Sequence, residues 1–137
     1  MYSASKAGVI QFNRAIAFAY HNEGIRTYAT APGTIKTNLL DAEDWEVFPR
    51  EYWTPMETLV RTVLDLVDGG DLKDCTGRTI AEKDAYGLTA EVYGDSYYFR
   101  DLPEHWNKGE AKMMEYTSMA NQLARIEKDK QKLQNGK

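Results

Sequence analysis

Tyr2 and Lys6 place a phenol and an ammonium four residues apart, which on a helix is one turn and one face. An unperturbed phenol titrates near ~10, so acid/base work around neutral pH needs a positive charge close by. Lys6 is spaced to supply that charge and favour the phenolate. Ser3, Ala4, Ser5, Ala7 and Gly8 around the pair are small and leave room for a ligand or a second helix. Taken alone, the pattern more often marks a solvated helix face.

The elements that must hold the pair follow from periodicity. Tyr2 to Asn22 is alanine-rich with apolar positions at Val9, Phe12, Ile16 and Ala19, which predicts a helix packed on that face. Gly24 suits a left-handed residue past the helix end, and Ile25 to Ala31 offers a short strand before Pro32-Gly33. Residues 34–53 lack a clean period and read as a long loop with one short helix. Thr54-Pro55-Met56-Glu57 is a helix start in which Thr54 caps and Glu57 returns the bond. Leu59, Val60, Val63, Leu64 and Val67 mark the buried face, and Gly69-Gly70 the end. Thr76 to Ala81 reads as a turn entering a strand, parallel to the first because a helix joins them. Two parallel strands leave an open edge, so the unit looks incomplete. Tyr93, Tyr97, Tyr98 and Phe99 form an aromatic cluster, and one helix is expected from about Trp106 to Leu133. Its tail, Arg125 to Lys137, is mostly charged and amide-bearing, which predicts a solvated end.

The order of these motifs carries a resemblance. Tyr2-Ser3-Ala4-Ser5-Lys6-Ala7-Gly8-Val9, Gly24-Ile25-Arg26 and Ala31-Pro32-Gly33 through Thr37 resemble consecutive landmarks of the short-chain dehydrogenase/reductase family. Thr76-Gly77-Arg78 resembles the entry to that family's last strand, so the likeness spans roughly residues 2–83. Tyr98-Phe99-Arg100-Asp101-Leu102-Pro103 is similar to fungal members related to NAD-dependent 15-hydroxyprostaglandin dehydrogenase. The resemblance implies an α/β fold, the C-terminal half of a Rossmann-like doubly wound sheet. Its order is helix-strand-helix-strand with a parallel strand pair, over residues 1–104, followed by a helical extension over 105–137 with a charged tail. Tyr2 would match the catalytic acid/base, and Lys6 the residue that lowers its pKa and holds the nicotinamide ribose. Pro32, Gly33 and Thr37 would lie beside the nicotinamide. Trp45, Phe48, Tyr52 and Trp53 would line a substrate pocket, although plain packing explains them equally. A Pro-Gly turn at the carboxyl end of a parallel strand is also where such sheets bind ligands.

The family's first five strands, Gly-rich dinucleotide turn, upstream serine and asparagine have no counterpart here; Gly69-Gly70 follows a helix and does not replace that turn. Three functions remain in competition. The first is part of an oxidoreductase of secondary alcohols or ketones, using NAD or NADP when the missing half is supplied. The second is a cofactor-independent isomerase, dehydratase or cyclase built on Tyr2 and Lys6. The third is a non-catalytic, oligomerising remnant. A homodimer or higher assembly burying the first helix is expected, with a small-molecule substrate.

Composition narrows the classes further. The 137 residues suffice for one core, and 42% hydrophobic with 28% charged residues is the balance of a globular chain. Seventeen Lys and Arg against 21 Asp and Glu give a net charge of −4, which disfavours nucleic acid and anionic membranes. No apolar run reaches the ~20 residues of a membrane span, and the start lacks a secretory signal pattern, so a cytoplasmic location is expected. Cys75 stands alone, and His21 and His105 show no metal-type spacing, so no metal site is expected. Asp41, Glu43, Asp44 and Glu46 read as solvated acids, and Met113, Met114, Tyr116, Met119, Ala120 and Leu123 as a packing face of the last helix.

Overall fold

The computed structural model describes residues 1–135. In chain order the elements are α1 (Tyr2–His21), β1 (Tyr28–Pro32), α2 (Ala42–Trp45), α3 (Met56–Asp68), β2 (Leu72–Lys73) and β3 (Thr79–Ile80). They continue with β4 (Leu88–Tyr93), β5 (Ser96–Phe99), α4 (Lys108–Tyr116) and α5 (Met119–Asn135). Met1–Arg100 form one compact unit, and the chain from Asp101 onward a second.

The expected mixed α/β architecture with a parallel strand pair is present, but the partner strand is a different one. β1 pairs in parallel with β4, from Tyr28 opposite Leu88 to Pro32 opposite Val92. Thr79–Ile80 instead pairs antiparallel with Leu72–Lys73 in a separate small ribbon. β4 also pairs antiparallel with β5, so the main sheet runs β1-β4-β5, with β4 central and β1 at an edge. The signal for this hairpin is visible in retrospect: β-formers on both sides of Gly94-Asp95, where Gly94 takes φ +59° as a two-residue hairpin turn requires. The aromatic cluster of Tyr93, Tyr97, Tyr98 and Phe99 is this hairpin. β1 begins three residues later than the sequence suggests, because residues 22–27 form the reversal between α1 and the strand, with Gly24 at φ +79°.

Leu66, Leu72, Ile80, Ala85, Ala90 and Phe99 make the core, flanked by Tyr28, Leu88 and Tyr97. Both long helices of this unit present the sheet with a face other than the apolar one. In α1 the buried residues are Asn13 and Ala17, while Val9, Phe12 and Ala19 are exposed and Ile16 is half-buried. Close approach decides this. A side-chain carbon at Gly87 would stand 2.6 Å from the Ala17 methyl, and Asn13 donates its amide to the Leu88 carbonyl at 3.3 Å. In α3 the buried line is Thr58, Thr62 and Leu66, with the Thr62 hydroxyl satisfied by the Thr58 carbonyl at 2.8 Å. Val60, Val63, Leu64 and Val67 are exposed. Three strands are too narrow to cover every apolar side of two helices, and periodicity cannot say which side the sheet takes.

Pro55 stands at the α3 N-cap position and no side chain caps the helix, because the Thr54 hydroxyl is used elsewhere, as described below. The single helix expected from Trp106 to Leu133 is two, α4 and α5, parted at Thr117-Ser118. The Thr117 hydroxyl turns back to the Met113 and Met114 carbonyls at that break. Among the described residues no helix is long and apolar enough to cross a membrane.

Candidate active site

Lys6 Nζ lies 5.3 Å from the centre of the Tyr2 ring, over its face, so the two residues do meet across one turn of α1. Tyr2 is 74% exposed. The Ser5 hydroxyl donates to the Tyr2 carbonyl at 2.7 Å and stays off the phenol. Among the described residues Lys6 has no carboxylate partner, which leaves all three of its N–H donors available.

The fold carries this pair toward the Pro32-Gly33 turn. Asn13 bonds Leu88, which is level with Tyr28 at the start of β1. From Asn13 back to Tyr2 the helix rises about 16 Å, and from Tyr28 to Pro32 the strand advances about 13 Å. The reversal at residues 22–27 makes helix and strand run in opposite senses, so Tyr2, Lys6, Pro32 and Gly33 gather at the carboxyl end of the parallel strands. No hydrogen bond, ion pair or ring contact joins Tyr2 or Lys6 to residues 32–37 among those described. The two groups share an end of the sheet without touching.

The turn itself is clamped from three sides. Gly33 N–H donates to the Val92 carbonyl at 2.8 Å, adding one rung to the β1–β4 ladder. The Thr54 N–H donates to the Thr34 carbonyl at 2.8 Å, and the Thr54 hydroxyl accepts from Gly94 N–H at 3.2 Å. A methyl at Gly33 would stand 2.9 Å from Thr54 Oγ1 and 3.0 Å from Tyr93 Cδ2. Gly33→Ala is therefore expected to destabilise the chain by about 1–3 kcal/mol, measured by urea unfolding, with Thr54→Ser failing to relieve it because the hydroxyl remains. Thr54, Tyr93, Asn13 and Gly87 escape sequence reasoning as positioning residues, since each acts through a partner between about 20 and 75 positions away in the chain.

The aromatic loop is mainly packing. The Trp45 indole is buried and donates to the Thr37 and Leu40 carbonyls, both at 3.1 Å, and it contacts Phe48 and Trp53 at ring-centre distances of 5.7 Å. Thr37 thus anchors the loop by its carbonyl, while its hydroxyl accepts from Leu39 N–H at 3.2 Å. Lys36 Nζ lies 5.6 Å over the Trp53 ring, and the buried Trp53 indole N–H has no hydrogen-bond partner among the described residues. Tyr52 is exposed and makes no ring contact with the cluster. His21 stacks on Tyr86 at 4.1 Å. A separate open groove of about 210 Å³, lined by Asp65, Asp68, Asp71 and Tyr97 among others, lies at the end of α3 and β2. Burial, then the nearby Asp65 and Asp74 charges, push the Tyr97 phenol up, and Tyr28 is likewise raised by burial with its hydroxyl on the Ala85 carbonyl at 2.7 Å. Both phenols are held protonated as structural donors.

A family model for short chain dehydrogenases matches residues 1–46, the stretch holding Tyr2, Lys6, Pro32, Gly33 and Thr37. A short-chain dehydrogenase/reductase of Penicillium rubens, prx7, is 38% identical over 131 residues, 92% of this chain. This chain belongs to the short-chain dehydrogenase/reductase family. It spans 46% of the length of that fungal relative. No solved structure matches it.

Proposed function

We propose that this short-chain dehydrogenase/reductase chain contributes the proton-transfer side of an oxidoreductase acting on a secondary alcohol or ketone. The observation that carries the reading is Lys6 held over the Tyr2 ring at 5.3 Å, both heads free, at the carboxyl end of a parallel strand pair. Tyr2 Oη takes the proton of a carbinol oxygen, or returns it to a carbonyl oxygen, and the Lys6 ammonium favours the negative charge that this leaves on the phenol. The donor set also fits the nicotinamide end of NAD or NADP, because Lys6 has unclaimed N–H donors suited to ribose hydroxyls, and Pro32, Gly33 and Thr37 would border the nicotinamide. Nicotinamide, when bound, supplies the hydride acceptor or donor. This chain has no Gly-rich turn to take the pyrophosphate, so the reading assigns that end to additional polypeptide of the length the fungal relative has.

In this reading residues 1–104 are the catalytic part and 105–137 an extension, Trp53 with Phe48 and Tyr52 border the substrate, and the protein works in the cytosol. The exposed Val9 and Phe12 on α1 favour a homodimer or higher assembly through that helix. The test is turnover of a panel of secondary alcohols and ketones with NAD and NADP, by this chain and by this chain completed with the upstream half. Lys6→Met is expected to weaken nicotinamide binding by about tenfold and to slow alcohol oxidation. Absence of turnover with every substrate in both preparations overturns the reading. Conversion without nicotinamide, lost in Tyr2→Phe, would instead assign the pair to cofactor-free acid/base chemistry.

A further inference from the structure

The second unit carries a seam that α4 and α5 leave open. In α5, Met119, Leu123, Ile126 and Leu133 are 49%, 40%, 51% and 75% exposed. Together with Lys130 they recur at alternating intervals of four and three residues. That is the narrow a/d seam of a coiled coil, with Leu123 and Lys130 at a and Met119, Ile126 and Leu133 at d; a helix lying on a core shows a wider stripe. The residues around the seam are polar or charged: Gln122 and Asp129 on one flank, Glu127 and Gln134 on the other, Lys128 on the outer face.

Charge selects the occupant and its direction. Asp129 meets Lys132 at 3.5 Å along its own helix, whereas Lys130 and Glu127 take part in no ion pair among the described residues. In a parallel, in-register pair of α5 helices each Lys130 lies beside the Asp129 of the other copy, and the two contacts repeat by symmetry. Leu123, Ile126 and Leu133 each then meet their own counterpart, and the two Lys130 side chains, which share a layer, turn their ammonium groups outward to the flanking Asp129 carboxylates. An antiparallel pair on the same seam sets Glu127 against Glu127 and Asp129 against Asp129, facing like charges.

We propose that α5 is a homodimerisation helix that joins two copies of this chain in a short, parallel, two-stranded coiled coil, with Lys130 fixing its register. The seam spans two heptads, so the contact is weak and depends on concentration. A lysine at one a position gives up stability for a single register and a two-stranded state.

Sedimentation velocity of the full chain over about two decades of concentration is expected to show mass rising with concentration. Ile126→Asp should move the midpoint up by about tenfold or more, while Lys128→Glu on the outer face leaves it in place. Lys130→Asp should weaken association, and adding Asp129→Lys should restore it. In a Cys75→Ser background, Leu133→Cys is expected to form a disulfide between copies under mild oxidation. Apart from Cys75, an exposed residue between β2 and β3, all these sites are on the exposed faces of α5, and circular dichroism confirms that each variant keeps its helix. Mass independent of concentration at the size of one chain overturns the proposal, as does association indifferent to Ile126→Asp. A mixture of Leu123→Cys and Leu133→Cys chains that cross-links faster than Leu133→Cys alone overturns the parallel register.

Discussion

Tyr2→Phe is expected to lower alcohol oxidation by about 10²- to 10⁴-fold while leaving nicotinamide affinity and thermal stability unchanged. The substitution removes the phenol oxygen and keeps the ring, so Lys6 retains the face that it covers at 5.3 Å. The backbone contacts of the first turn also survive, because Ser5 bonds the Tyr2 carbonyl and not its side chain. Tyr2 is too exposed for its hydroxyl to contribute to the core. A loss confined to kcat therefore reads proton transfer and not folding. Turnover within a factor of about three of the parent would remove Tyr2 from the reaction.

The largest effect on stability is expected at Asp74, in the β2–β3 turn. Its Oδ1 accepts from the Thr76 hydroxyl at 2.6 Å and from the N–H groups of Thr76 and Arg78 at 2.9 and 3.1 Å, while Oδ2 accepts from Phe99 N–H at 3.1 Å. One carboxylate thus ties the small ribbon to β5 and to the core residue Phe99. Burial pushes the Asp74 carboxyl up, but the bonds from Thr76, Phe99 and Arg78 together outweigh it and hold it below the usual carboxylate range. Asp74→Ala leaves three backbone donors without their partner, and a loss of about 2–4 kcal/mol is expected in denaturant unfolding. Asp74→Asn should fall between, because its amide group would face at least one N–H donor.

The sign of the pH dependence follows from the lowered folded-state value. Asp74 contributes its full stabilisation above its unfolded pKa, near ~4, and that contribution is lost as pH falls through the lower folded-state value. The stability difference between parent and Asp74→Ala should accordingly be constant near neutrality and shrink in acid. A difference that persists unchanged at the acid end would mean that the carboxylate bonds do not set it.

Local order was legible in the sequence wherever a short-range rule decides it. The 3.6-residue period and the Gly24 and Gly69-Gly70 stops bound α1 and α3, and the Tyr2 and Lys6 spacing alone brings the two side chains together. β1 ends at Pro32, where the Pro32-Gly33 pair marks a turn. The motif order around these residues also identifies the family. What sequence reading could not supply is which face of each helix is covered and which strand β1 pairs with. Thr54 illustrates the limit: its position before Pro55 predicts a cap, yet its hydroxyl bonds Gly94, forty positions away.

The sequence by itself thus determined α1, β1, α3, the family and the approach of Lys6 to Tyr2, because each depends on interactions within one turn or on a contiguous motif. Only the tertiary structure decided that Asn13 and Ala17, and not Val9 and Phe12, dock α1 on β4, since Gly87 lets the helix approach there. It alone joined β1 to Leu88–Tyr93 across a separation of about sixty residues, and so brought the Tyr2 end of α1 to the end of the sheet where Gly33 lies. Contacts between residues far apart in the chain leave no local period, and only packing can choose among them.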